Sequence, residues 1–309
     1  MINLITILGP TASGKTRLAA LLANRINGEV ISADSRQVYK GMDLGTGKDY
    51  SDYKVDGEFV PYHLIDIADP GEEYNVFRYQ QDFIRVYNDI IKRGRVPVMC
   101  GGTGLYIESV LGAYRMESVP QNDELRAELK HKSLEELAEK LRNIRPLHNI
   151  TDTTDRNRTI RAIEIAVFEN EKKTQISTLP EIHSLIFGIA YDRSKLRQRI
   201  TQRLKNRMGE GMINEVKDLL SSGVSAEELD FYGLEYRYIT RYVTGLISYD
   251  EMFSLLNTAI HQFAKRQTTW FRRMERKGFI IRWLPGEWDM DDKLEYVLQA
   301  LEKQGVHKL

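Results

Sequence analysis

Residues 4–16 read LITILGPTASGKT, and this stretch decides the fold. Leu4 to Leu8 is a continuous apolar run, the pattern of a parallel strand buried on both faces. Gly9-Pro10-Thr11-Ala12-Ser13-Gly14-Lys15-Thr16 then fits the spacing G-x4-G-K-[ST]. Arg17 to Ile26 follows with Leu18, Leu21, Leu22 and Ile26 at helical spacing. Strand, small-residue turn and helix in that order make a phosphate loop. Its glycines permit close approach and positive φ, so that successive backbone N–H groups form an anion-sized nest at a helix N-terminus. Lys15 adds a positive charge over the phosphates, and the Thr16 hydroxyl can ligate Mg2+. The loop predicts a bound phosphate chain and leaves open what that chain is attached to.

Outward from the loop, strands and helices alternate. Glu29 to Ala33 reads as a second strand delivering Asp34, and Tyr62 to Ile67 as a third. Phe77 to Arg93 has helical periodicity and stops at Gly94, while Val96 to Cys100 is a fourth strand running into Gly101-Gly102. The alternation predicts an α/β fold: a P-loop NTPase-like parallel sheet core flanked by helices. From about Met116 to Glu181 the chain is rich in Glu, Lys, Leu and Arg. Ser133-Leu-Glu-Glu136 looks like a capping box, and Asp155 to Phe168 like an amphipathic helix. A strand pattern returns at Leu185 to Ile189, followed by helices over about 194–221, 248–277 and 289–303. The expected organisation is a first part of the core at 1–114, a helical insertion domain at 115–184 and a completion of the core with basic helices at 185–309.

The chain has 309 residues, with 44 Lys and Arg against 44 Asp and Glu. The bulk balance argues against a polyanion binder. By segment it does not, because residues 185–277 carry 16 basic and 11 acidic side chains. Residues 193–207 hold seven cations, of which Arg199, Arg203 and Arg207 form one helical stripe. Residues 265–277 hold six, interleaved with Trp270 and Phe271. Cations track phosphates and aromatics stack on unpaired bases, although a solvated helix face is the commoner fate of such a run. The single cysteine, Cys100, excludes an intrachain disulfide and a cysteine zinc cluster and reads as a small core residue. The six histidines show no metal spacing. The apolar start is too short for a signal peptide, and no run approaches the length of a membrane helix; a soluble cytoplasmic protein, monomeric and with no membrane partner, is expected.

Asp34 follows a strand whose carboxyl end faces the ligand side of an open sheet. A carboxylate there can ligate Mg2+ through water, act as general base or cap a helix.

GPTASGKT at 9–16, DSRQVYKGMDLGTGK at 34–48, HLIDIADP at 63–70, GGTGLY at 101–106, DRNRTIRAIEI at 155–165 and KRQTTWFRR at 265–273 together resemble the tRNA dimethylallyltransferase family. The likeness runs from Leu4 to about Leu284. It implies transfer of a dimethylallyl group from dimethylallyl diphosphate to N6 of adenosine 37, beside the anticodon of certain tRNAs. That chemistry gives the candidate residues their roles. Gly9 to Thr16 would cradle the diphosphate, with Mg2+ on Thr16. Asp34 would take the N6 proton, and Gln37 could read the adenine edge of a flipped base. The resemblance further implies that Thr103 touches the tRNA or the reacting centre. It places Ser35, Arg36, Arg126, Arg158, Arg161, Lys265, Arg266, Gln267 and Arg272 against the anticodon stem-loop. One departure stands out. Many members carry an Arg shortly before a Gly-Tyr-Arg-like segment, where this chain has Asp230 before Gly233-Leu-Glu-Tyr-Arg237. The rival readings are a P-loop kinase of a nucleotide or small metabolite, which leaves the basic block unexplained, a GTPase-like switch, which lacks an N-K-x-D string, and a tRNA-binding module with a vestigial phosphate site.

Overall fold

The computed structural model describes residues 2–114, 116, 119–146, 153–171 and 180–305. They fall into two compact units, Met1–Tyr114 with Pro180–Leu309, and Arg115–Leu179. The strands of the first unit are β1 (Leu4–Leu8), β2 (Gly28–Ala33), β3 (Lys54–Val55), β4 (Glu58–Phe59), β5 (Tyr62–His63), β6 (Val96–Gly101), β7 (Ser184–Ala190) and β8 (Ile281–Pro285). β3 and β4 form a small antiparallel ribbon. Six strands form one parallel sheet in the order β5-β2-β6-β1-β7-β8 among the described residues.

The strand that leads into the phosphate loop is therefore central. Its residues alternate between two cores, as the pleat requires. Ile5 and Ile7 pack with Leu18 and Leu22 of α1 (Lys15–Arg25), and with residues of the last helix. Leu4 and Leu8 face the other core, with Phe83 of α2 (Val76–Lys92) and Ile107 of α3 (Gly104–Leu111). The second unit holds α4 (Asp123–Leu129), α5 (Leu134–Ile144) and α6 (Arg156–Glu171) around Leu129, Leu137, Leu141 and Ile163. Its capping box is real: the Ser133 and Glu136 side chains each accept from the other's backbone N–H, at 3.2 and 2.6 Å. The first unit resumes at β7 and continues with α7 (Arg193–Gly209), α8 (Met212–Ser221), α9 (Ala226–Tyr232), α10 (Leu234–Val243), α11 (Tyr249–Arg276) and α12 (Met290–Glu302). No helix among the described residues is long and apolar enough to cross a membrane.

Two expectations need correction. The strand expected over Tyr62–Ile67 stops at His63, because Leu64 and Asp66 take positive φ of 62° and 55°. That turn hands the Asp66 carboxylate to the buried Lys48 ammonium and the Tyr50 hydroxyl, both at 2.5 Å. The helix expected over 194–221 is two helices, broken at Gly211, whose φ of 105° no right-handed helix accommodates. The sequence pattern also assigned nothing to α3, α4, α9 and α10, which are short or begin in loops.

Candidate active site

β1 ends at Leu8, and the chain curls through Ala12 (φ 62°) and Gly14 (φ 86°) before α1 begins. The alternation of handedness turns successive N–H groups to one side. No side chain caps the start of α1, so its orphan amides stay available to an anion. The Ser13 hydroxyl is buried and lacks a hydrogen-bond partner among the described residues. The Lys15 ammonium reaches only the Pro10 carbonyl, at 3.5 Å. Burial holds its pKa below the ordinary lysine value, against the pull of Cys100 and Asp34. The Lys15 ammonium, whose charged form burial disfavours, and a buried hydroxyl with no partner among the described residues describe a cradle shaped for phosphate.

The basic stripe of α7 lies against this cradle. Arg199 Nε donates to the Ala12 carbonyl at 2.9 Å, and Arg203 Nη1 to the Thr11 hydroxyl at 3.3 Å. Asp49 binds Arg203 at 2.5 Å and Arg207 at 2.7 Å. Burial would raise the Asp49 carboxyl, but these two guanidiniums hold it below the usual carboxylate range. The other cations of the cluster, Arg193, Lys195, Arg197 and Lys205, are exposed. The i, i+4, i+8 spacing sets Arg199, Arg203 and Arg207 apart from these four, but does not say that their face meets the loop.

Asp34 sits just past β2 in a local turn. Its Oδ1 accepts from Arg36 N at 2.9 Å and from Gln37 N at 3.4 Å, an Asx turn and not a helix cap, since no helix begins there among the described residues. Both bonds land on one oxygen, which leaves Oδ2 for other work. Thr103 fastens the turn from the neighbouring strand: its hydroxyl accepts from Ser35 N at 3.0 Å and donates to Ser35 Oγ at 3.3 Å. Thr103 N in turn donates to the Ala33 carbonyl at 3.1 Å. Thr103 thus ties the turn that follows β2 to the loop after β6. Gln37, expected to read a base edge, is half-buried: its Oε1 accepts from Ser32 Oγ at 3.1 Å and its Nε2 donates to the Gly47 carbonyl at 2.9 Å, which leaves one N–H and one lone pair.

Gln267 is the larger correction. Expected at the RNA surface, it is buried. Its Oε1 accepts from Thr11 N at 2.8 Å and its Nε2 donates to the Gly102 carbonyl at 3.0 Å. It bridges the phosphate loop to the loop after β6, and a Cβ on Gly102 would lie 2.4 Å from its amide nitrogen. Trp270 packs as closely on Gly104. Lys265, Arg266 and Arg272 are exposed, with the Arg266 guanidinium 5.8 Å above the Phe263 ring. Arg273 and Lys277 pair instead with the buried Glu108. Cys100 is buried, its thiol pushed up to about 12 by burial, and is unreactive core.

In the second unit Arg126 and Arg161 converge on one buried carboxylate. Glu164 accepts from Arg126 at 2.7 and 3.1 Å, from Arg161 at 3.0 Å and from Asn122 N at 3.1 Å. Burial alone would raise it; the hydrogen bonds bring it down to about 2. Arg158 is exposed on α6. Arg237 is held by Asp230, Nε to Oδ1 at 2.8 Å.

The family model described as IPP transferase matches residues 37–274, and that of isopentenyl transferase residues 2–57. A protein of Bacteroides fragilis named tRNA dimethylallyltransferase 2 is 54% identical over 301 residues, 97% of this chain and 98% of its own length. Among solved structures, the full-length tRNA isopentenylpyrophosphate transferase of Bacillus halodurans matches at a TM-score of 0.70 and 31% identity, over 99% of this chain and 98% of that one. A eukaryotic dimethylallyltransferase acting on tRNA shares the fold at a TM-score of 0.80 and 22% identity, over 99% of this chain and 80% of its own.

Proposed function

The chain belongs to the IPP transferase family of tRNA dimethylallyltransferases, and from that membership we propose how its own residues carry the reaction. It transfers a dimethylallyl group to N6 of adenosine 37 in tRNA, with dimethylallyl diphosphate as donor. The C1–O bond of the donor breaks, a bond from N6 to C1 forms, diphosphate leaves, and the N6 proton passes to a base. The observation that carries this reading is the pairing, at the carboxyl ends of β1 and β2, of a phosphate cradle with a carboxylate whose turn is fastened, through Ser35, by a threonine of the loop after β6.

The diphosphate end of the donor enters the cradle of Gly9 to Thr16. Loop amides, the Ser13 hydroxyl and the Lys15 ammonium meet the charge that grows as the C1–O bond stretches. Arg199 and Arg203, already on the loop, extend the cradle. The Thr16 hydroxyl, in the first turn of α1 beside the cradle, is a hard oxygen ligand that together with substrate oxygens would suit Mg2+. Bound there, Mg2+ would supply further charge stabilisation to the leaving diphosphate. Asp34, through its free Oδ2, accepts the proton from N6, a weak nucleophile whose lone pair is delocalised into the ring. The allylic carbon becomes cation-like, so a base flipped into the site must displace water from it. Lys265, Arg266 and Arg272 on α11, Ser35 and Arg36 beside Asp34, and Arg126, Arg158 and Arg161 in the second unit are the proposed contacts to the anticodon stem-loop. The protein acts as a monomer in the cytoplasm.

Radiolabelled dimethylallyl diphosphate, Mg2+ and tRNA with adenosines at positions 36 and 37 test the reading. Label should move to the tRNA. Phosphoryl transfer from ATP to a small acceptor, with no label on tRNA, would establish the kinase instead. Asp34→Asn should lower single-turnover transfer by about 1,000-fold while tRNA affinity holds; a near-full rate removes Asp34 as the base.

A further inference from the structure

Phe231, at the end of α9, leaves 57% of its surface open. One exposed aromatic is ordinary, but this ring is built into the site. The Arg36 guanidinium lies over it, 5.1 Å from the centroid, and Arg36 N is the donor that fixes Asp34 Oδ1 at 2.9 Å. One residue therefore ties the ring to the proposed base. Behind Phe231, Tyr232 meets it edge-on at 5.6 Å and meets the buried Tyr39 edge-on at 4.7 Å, so the platform is anchored to the core. Asp230 beside it holds Arg237, which keeps a second cation at the rim. A flat aromatic face, cations around it and open solvent on one side suit an unpaired nucleotide, which offers a π-face and a phosphate.

We propose that Phe231, capped by Arg36, is the stacking platform for the tRNA nucleotide next to the adenosine that enters the site. It rests on the prenyl-transfer reading above. Flipping one base from a loop removes its neighbour's stacking partner, and the Phe231 ring replaces it beside Asp34.

The test uses the full chain and an anticodon stem-loop RNA with 2-aminopurine at the nucleotide adjacent to the target adenosine. Wild-type protein should quench the probe. Phe231→Ala should abolish the quench and weaken stem-loop affinity about tenfold, while affinity for dimethylallyl diphosphate and the melting temperature hold. Phe231→Trp should restore both signals. Unchanged quench and affinity in Phe231→Ala, or full rescue by Phe231→Leu, would overturn the platform. Wild-type protein that transfers no label to tRNA would overturn the reading beneath it, which keeps the two failures distinct.

Discussion

Helices α7 and α11 present similar strings of cations and use them in opposite ways. The α7 stripe turns inward: Arg199 and Arg203 grip the phosphate loop, and Arg203 and Arg207 share Asp49. On α11 the cations divide, with Lys265, Arg266 and Arg272 exposed and Arg273 and Lys277 tied to Glu108. The one α11 side chain that reaches the phosphate loop is neutral, Gln267. We propose that the basic helix next to the anion site serves the chemistry and the basic helix one layer away serves recognition. Residue type does not tell them apart; the partner of each guanidinium does.

The contrast can be broken by substitution. Arg203→Ala should lower single-turnover transfer by about 100-fold while stem-loop affinity is unchanged. A parallel loss of RNA affinity would return α7 to the RNA surface. Gln267→Ala strands the Thr11 amide and the Gly102 carbonyl, so thermal or urea unfolding should register a loss of about 2 kcal/mol and the KM for dimethylallyl diphosphate should rise. Unaltered stability with weakened RNA binding would put Gln267 on the surface after all. Lys265→Ala with Arg266→Ala should weaken stem-loop binding about tenfold and reduce its salt slope by about one per cation removed, leaving donor affinity intact. The smallest effect sharpens the comparison from the second unit, whose arginines are tied to a carboxylate. Glu164 is near 2 when folded, against an ordinary 4.5, so its stabilisation is complete above 4.5 and fades as the pH falls toward 2. About 1 kcal/mol should be gone by about pH 3.5 in a pH series of melting curves, and Glu164→Gln should flatten that series.

What the sequence revealed and what it hid divide by range of interaction. The phosphate loop was legible because strand, turn and helix are one local unit, and its signature residues are those whose backbone makes the nest. Asp34 was legible because strand ends collect on one edge of a parallel sheet. Gln267 was misplaced because its bonds to Thr11 and Gly102 cross 256 and 165 positions, and periodicity carries no information on such contacts. The partners of Gln37 were hidden for a different reason: an amide suited to a base edge is equally suited to a backbone carbonyl. The break at Gly211 was hidden because the apolar spacing of α8 continues that of α7 well enough to read as one helix.

Asp49, Glu108 and Glu164 each hold two cations, so three of those six positive charges are neutralised within a few ångströms. With the formal net charge at zero, little field reaches beyond a Debye length. Diffusional capture of the polyanion therefore gains little from electrostatic steering, and association should run at the unsteered pace of roughly 10⁵–10⁶ M⁻¹ s⁻¹. Selection among RNAs is then made after collision, by how long each one stays.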